Sequence, residues 1–423
     1  MKKIIFYLIT VCLMGSLVGC TQSVTAQELK SDKQRINFPE ISQTEIKSLV
    51  DGNSAFALDL FQKLIDRDEN LFYSPYSISL ALAMTYAGAS GQTAQEMANT
   101  LHFYLNQDKL HSAFNWLDIE LVKRGEGASG KDEEGFRLNI VNAIWGQENY
   151  RFLDAFLDVL AENYGAGLRI LDFIKSTEVA RNTINEWISQ QTEGRIEELI
   201  PQGAIDAATR LVLTNAIYFN AAWMYPFDEE NTVDRVFYLL NDDTVSIPMM
   251  NQTEFLNYVQ GDNYQAVELP YDGNELSMFL LMPDKDSFTS FEESIDSELI
   301  NNIIDELTTK QVVLSMPKFE FKSEIGLKQI LAEMGMPTAF SGMADFSGMT
   351  KGRDLFIDDV LHEAFVSVDE AGTEAAAATA VIMKLTAAEE TVTMSLDHPF
   401  IFLIRDMKTD TVLFVGRVLN PTN

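Results

Sequence analysis

Glu370-Ala371-Gly372-Thr373-Glu374-Ala375-Ala376-Ala377-Ala378-Thr379-Ala380 is the stretch on which the reading of the fold turns. From Ala375 to Met383 there is no charge, no proline and no glycine. The more polar Lys384-Leu385-Thr386-Ala387-Ala388-Glu389-Glu390 comes next. Four consecutive alanines have the highest helix propensity available. A strand reading is equally open, because alternate strand residues face opposite sides. One face would be Thr373, Ala375, Ala377, Thr379, Val381 and Met383, small or apolar throughout. The other face carries both charges, Glu374 and Lys384. Gly372 frees the backbone at the base of the segment. Tiny residues behind a single glycine describe a chain able to exchange one packing partner for another.

The chain around this segment has 423 residues and 46% hydrophobic content, enough for a sizeable core. The N-terminus reads as a targeting segment. Lys2 and Lys3 precede a short apolar run, Ile4 to Met14, too brief for an ordinary membrane span. Leu17-Val18-Gly19-Cys20 resembles a bacterial lipoprotein processing box, with the Cys20 thiol as the site of lipid attachment. We therefore expect a signal peptide over 1–19 and a lipidated Cys20 with a polar tether over 20–41. The mature protein would be exported and anchored at the outer membrane or cell surface, or secreted if the box is unused. Cys12 and Cys20 are the only cysteines, so the mature domain is expected to stand without a disulfide. The formal net charge of -32 disfavours nucleic acid and other polyanions as partners.

Apolar periodicity predicts helices over 48–67, 74–88, 108–122, 154–164, 177–190, 291–307 and 325–335. Strands are expected over 138–145, 209–219, 245–250, 265–269, 276–282, 311–321, 355–368, 399–405 and 411–419. The 209–219 run lacks alternation, as a strand buried on both faces would. With no repeat and no internal linker, one mixed domain over 42–423 fits best.

Chemistry is scarce. The four histidines, His102, His111, His362 and His398, have no metal-ligand spacing between them. No nucleophile elbow, phosphate loop or dinucleotide fingerprint occurs. Ser315-Met316-Pro317-Lys318 matches an S-x-x-K pattern, but that serine must open a helix, and Pro317 lies in a strand-like run. No enzyme and no cofactor is expected.

Landmarks in order then carry a resemblance. They are Asn70-Leu-Phe-Tyr-Ser74-Pro75-Tyr-Ser77-Ile, and Leu211-Val-Leu-Thr-Asn215-Ala-Ile-Tyr-Phe-Asn-Ala-Ala-Trp223 with Phe227. Glu268-Leu-Pro-Tyr271, Pro317-Lys318-Phe319, Ala344-Asp-Phe-Ser-Gly348 and His362-Glu-Ala-Phe365 come after them. Asp397-His-Pro399-Phe400 and Phe414-Val-Gly416-Arg417-Val418 close the series. With the alanine segment as hinge, these residues resemble the serpin family, and its inhibitory members in particular.

The resemblance implies an α+β fold of three β-sheets, eight or nine helices and an exposed reactive-centre loop, here about 370–392. It implies a monomer that traps a serine protease, or a cysteine protease, in a covalent one-to-one complex. The cleaved loop would enter the central sheet as a new strand. The hinge would be Glu370, Gly372, Thr373, Glu374, Ala375, Ala376, Ala377, Ala378 and Thr379. Ser74, Ser77, Asn215 and His362 match a polar cluster where the sheet parts. Trp223 and Lys318 match residues at the loop's entry, Lys318 paired with Glu370. The family's usual count places the cut between Thr386 and Ala387, with Leu385 and Lys384 as alternatives because this loop is longer. Thr386 or Leu385 would suit elastase-, subtilisin- or chymotrypsin-like enzymes, and Lys384 trypsin-like ones. The alternative function is that of a non-inhibitory member acting as a binding or chaperone-like protein. Such members usually carry bulky, charged or proline residues in the hinge, and this chain has no charge and no proline from Ala375 to Met383.

Overall fold

Ser42 accepts a hydrogen bond from the Glu45 amide while the Glu45 carboxylate takes the Ser42 amide. This reciprocal cap opens α1 (Gln43–Leu64). Ser74 caps α2 (Pro75–Tyr86), with Pro75 at its first position, where no amide is needed. Every residue of α2 is buried, as expected for a helix apolar all round. The other helices are α3 (Gly91–Thr100), α4 (Gln107–Val122), α5 (Asp154–Tyr164), α6 (Thr177–Gln191), α7 (Phe288–Glu292), α8 (Ser297–Asp305) and α9 (Lys328–Met334). The computed structural model describes residues 26–66, 68–128, 136–373 and 391–422.

The strands are β1 (Gln27–Leu29), β2 (Leu71–Tyr73), β3 (Arg137–Gln147), β4 (Leu168–Leu171), β5 (Leu211–Ala222), β6 (Val233–Tyr238), β7 (Thr244–Gln260) and β8 (Tyr264–Pro270). They continue with β9 (Leu276–Pro283), β10 (Thr308–Pro317), β11 (Phe319–Gly326), β12 (Asp359–Val368), β13 (Gly372–Thr373), β14 (Thr391–Ser395), β15 (Phe400–Asp406) and β16 (Val412–Val418). One sheet runs β1-β4-β3-β5-β13-β12-β11. A second path runs β14-β10-β7-β8-β9-β15-β16-β2, with β6 on β7. The 17-residue β7 joins what the resemblance counts as two sheets, pairing β6 at its start and β8 at its end.

β5 is buried over its whole length. On one face it packs against α2. On the other, Val212 and Ala216 share a buried cluster with Ile184 and Ile188 of α6 and with Ile196 and Ile200 beyond that helix. Two covered faces remove the need for alternation, which is why this strand reads as a continuous apolar run.

Three expectations are corrected. The single strand over 311–321 is two strands in different sheets, since β10 ends at Pro317, which has no amide to donate, and β11 starts at Phe319. The single helix over 291–307 is α7 and α8, because Asp296 accepts the Leu299 amide at 2.8 Å and starts a helix of its own. The polar stretch expected as a tether over 20–41 is docked from residue 26 onward. β1 pairs antiparallel with β4, and Arg35 reaches Asn115 at 2.8 Å and Asp118 at 2.6 Å on α4.

Candidate functional site

β5 and β12 run parallel and pair directly from Val212 and Asp359 up to Ile217 and Ala364. Above that level they part, and β13 lies between them. Gly372 and Thr373 pair with Ala222 and Ala221, and Thr373 pairs with Val368, antiparallel on both sides. A Cβ on Gly372 would stand 2.2 Å from the Ala221 carbonyl oxygen, so the close approach of two backbones demands glycine here.

Thr373 is 1% exposed, and its hydroxyl lies 2.8 Å from the hydroxyl of Tyr271. The Tyr271 ring stacks on Trp223 at 4.7 Å and 9°. The Trp223 indole donates to the Asp369 carbonyl at 2.9 Å, and its amide donates to the Ala371 carbonyl at 2.9 Å. The Phe227 amide donates to the Glu370 carbonyl at 2.8 Å. Lys318, between β10 and β11, meets the Glu370 carboxylate at 2.6 Å, and Thr232 donates to its other oxygen at 2.6 Å. Burial alone would raise the Glu370 pKa, but Lys318 and Thr232 outweigh it and hold the carboxyl below its ordinary range.

The lower, closed part of the seam lies over a different arrangement. His362 Nε2 accepts the Ser74 amide at 3.1 Å, and its Nδ1 donates to Asn215 Oδ1. Asn215 Nδ2 donates to Ser77 Oγ at 2.5 Å and to Asn142 Oδ1. Asn142 Nδ2 donates to the Ser77 carbonyl at 3.1 Å, and Ser74 Oγ accepts the Ser77 amide at 3.1 Å. The cluster ties α2 to β3, β5 and β12, so the seam cannot open without disturbing it. Burial pushes the His362 pKa down to about 3, which keeps the ring neutral and in the donor–acceptor state the network requires.

Ser74, Ser77, Asn215 and His362 are thus brought together at one end, and Glu370, Gly372, Thr373, Trp223 and Lys318 at the other. Glu374, Ala375, Ala376, Ala377, Ala378 and Thr379, the bonds at Lys384, Leu385, Thr386 and Ala387, and Cys20 lie outside the described residues. Sequence reasoning missed three participants. Asn142 faces Asn215 across β3 and β5, and its signal is a polar residue inside an apolar run. Tyr271 stood among the landmarks without a role, and Thr232 gives no sequence signal. The S-x-x-K pattern falls apart in space: Ser315 donates to Asn251 at 2.6 Å while Lys318 turns to Glu370.

The family model described as Serpin (serine protease inhibitor) matches residues 51–421. A leukocyte elastase inhibitor of Xenopus laevis is 40% identical over 386 residues, covering 89% of this chain and 100% of that protein. An uncharacterized serpin-like protein of Thermococcus kodakarensis is 39% identical over 387 residues, covering 91% of this chain and 88% of its own. The native-state crystal structure of tengpin, a thermophilic serpin, superposes with a TM-score of 0.80 at 29% identity, covering 94% of this chain and 100% of that one. The chain belongs to the serpin family. Serpins are, as a family, protease inhibitors and generally not enzymes.

Proposed function

We propose that the protein is a single-use inhibitor of serine proteases that works by inserting its cleaved loop between β5 and β12. The observation that carries this reading is β13: the hinge already occupies the top of the seam, antiparallel to both neighbours. A target enzyme attacks the loop as substrate and forms an acyl-enzyme. Cleavage releases the hinge, which continues the register it has begun. Extended downward, that register sets Ala378 between Ala216 and Glu363, and Thr379 between Asn215 and His362, residues that now pair directly. Small side chains pass through this gap with little resistance. About a dozen inserted residues, at roughly 0.5–1.5 kcal/mol net per backbone bond, supply on the order of 10 kcal/mol. That rivals the whole stability of an ordinary domain, so the intact form is held kinetically.

The favoured reactive bond is Thr386–Ala387, with Leu385 and Lys384 as alternatives. The elastase inhibitors among the relatives support an elastase-like target, and subtilisin- and chymotrypsin-like enzymes fit the same residues. Trypsin-like and cysteine proteases are further candidates. The inhibitor acts as a monomer held to a membrane through lipid on Cys20. Mass spectrometry of the mature N-terminus tests the anchor, and an unmodified Cys20 would remove it.

The deciding experiment incubates the mature domain with a panel of proteases. We expect an SDS-stable complex with at least one enzyme and a released C-terminal peptide whose mass fixes the cut. Cleavage without a covalent complex across the whole panel would sink the inhibitor reading.

A further inference from the structure

Glu363 lies on the closed part of the seam, and the mechanism above gives it no task. It comes directly after His362 on β12 and so points to the opposite face of the sheet. On that face it pairs with Ala216 of β5 on one side and Glu324 of β11 on the other. The residue is 1% exposed. Its Oε1 lies 3.4 Å from the Lys322 ammonium, a distant contact. Lys322 is more than half exposed and sits closer, at 2.7 Å, to Glu324. Glu363 Oε2 has no hydrogen-bond partner among the described residues. A buried carboxylate so poorly served costs free energy whenever it is ionised.

Among the described residues, the paired strands offer little else to offset that cost. β5 presents only Ala216 at this level. Beyond α6, Ile196 and Ile200 belong to the same buried cluster as Val212 and Ala216 of β5, and the Arg195 guanidinium sits over the Phe365 ring of β12 at 5.9 Å. Asp359 shares Glu363's face lower on β12, beside Lys328 and Asp358. His362, on the other face, stays neutral across the neutral range.

We propose that the ionised Glu363 carboxylate loosens the β5–β12 seam and its protonation tightens it, so that this side chain sets the rate of strand insertion through the ambient pH. When the strands part, water reaches the carboxylate, and the ionised form gains what it lacked. Burial raises the Glu363 pKa to about 7, with Glu324 adding to the rise and Lys322 opposing it. Linkage gives the sign. Between the ordinary carboxylate range and that value the closed seam holds a proton that an opened one releases. Through Glu363, closure is therefore favoured at low pH and weakened as pH rises through about 7, while the buried His362 acts in the opposite sense below 6.5. The consequence for inhibition rests on the insertion reading; the state of the seam does not.

The test is hydrogen exchange on the full chain, resolved over 212–217 and 359–364 and corrected for intrinsic exchange, at pH 5.5, 7 and 8.5. Because His362 contributes equally to both proteins, the readout is the ratio of Glu363→Gln to wild-type protection, which should rise about tenfold from the lowest pH to the highest, equivalent to one pKa unit of differential stabilisation. Glu363→Gln alone should retain only the opposite, His362-linked dependence, its protection weakening toward low pH. Glu363→Asp should restore a pH dependence with a moved midpoint. The same profile in wild type and Glu363→Gln overturns the inference. Failure of every protease to form a covalent complex, with the exchange profile as expected, removes the insertion reading and leaves the seam titration standing.

Discussion

The two ends of the β5–β12 seam are built from different interactions. The upper end is already parted by two residues of β13, and beside the buried Thr373, Tyr271 and Trp223 its ion pair reaches water through Lys318, 39% exposed. The lower end is shut by direct strand pairing over a polar cluster in which Ser74, Ser77, Asn215 and His362 are all buried. Solvent-reached ion pairs add little and break gradually. Buried hydrogen bonds are expensive to leave unmade. Under the proposed insertion, the upper end would decide where a strand enters and in what register, and the lower end whether it goes further.

The largest expected effect comes from forcing a charge through the upper end. Thr373→Arg would place a guanidinium where a 1%-exposed hydroxyl now meets Tyr271. Burying that charge costs several kcal/mol. Cleavage by a target protease should persist while the covalent fraction drops tenfold or more, read from the ratio of complex to cleaved product on a denaturing gel. An unchanged ratio would mean that the hinge does not travel down the seam.

The next effect breaks the lower end. His362→Ala strands the Ser74 amide and the Asn215 carbonyl, both buried. We expect a loss of about 3 kcal/mol, at roughly 1–3 kcal/mol for each unsatisfied group, seen as a lower midpoint in thermal scans at one fixed rate. The wild type should also soften in acid. The buried His362 refuses a proton that an unfolded histidine accepts near 6.5, its own pKa being about 3. Its contribution is thus complete above pH 6.5 and is lost as pH falls from there toward 3. His362→Ala should flatten that slope.

The same contrast explains what the sequence could and could not disclose. β5 was legible because an uninterrupted apolar run has one common explanation, and α2 because Ser74-Pro75 is a cap set directly before an apolar helix. The lower cluster was legible only through the resemblance, since isolated serines and asparagines carry no pattern of their own. Asn142 escaped because register between strands, not spacing along one, brings it to Asn215. The strand over 311–321 was read across its break because Pro317 and Lys318 interrupt a run that is apolar on both sides. Its two halves belong to different sheets, and no local propensity records that. The docking of residues 27–36 was hidden for a similar reason: Arg35 and its neighbours are polar, as a tether would be, but their partners lie on α4 and β4.

The smallest expected effect returns to the upper end. Lys318→Ala removes the ammonium from Glu370 but leaves the Thr232 hydroxyl on the other carboxylate oxygen. With the lysine 39% exposed, screening limits the loss to about 1 kcal/mol. The depressed Glu370 pKa sets the pH window. The stabilisation is present above the ordinary carboxyl value and disappears as pH drops below it, when the folded carboxyl finally takes a proton. The difference in thermal midpoint between wild type and Lys318→Ala should therefore be measurable at pH 7 and shrink toward zero below pH 4. It should also fade in high salt, whereas the loss in His362→Ala should not. A Lys318→Ala deficit as large as that of His362→Ala, and as indifferent to salt, would erase the distinction between the two ends and make the seam a single cooperative unit.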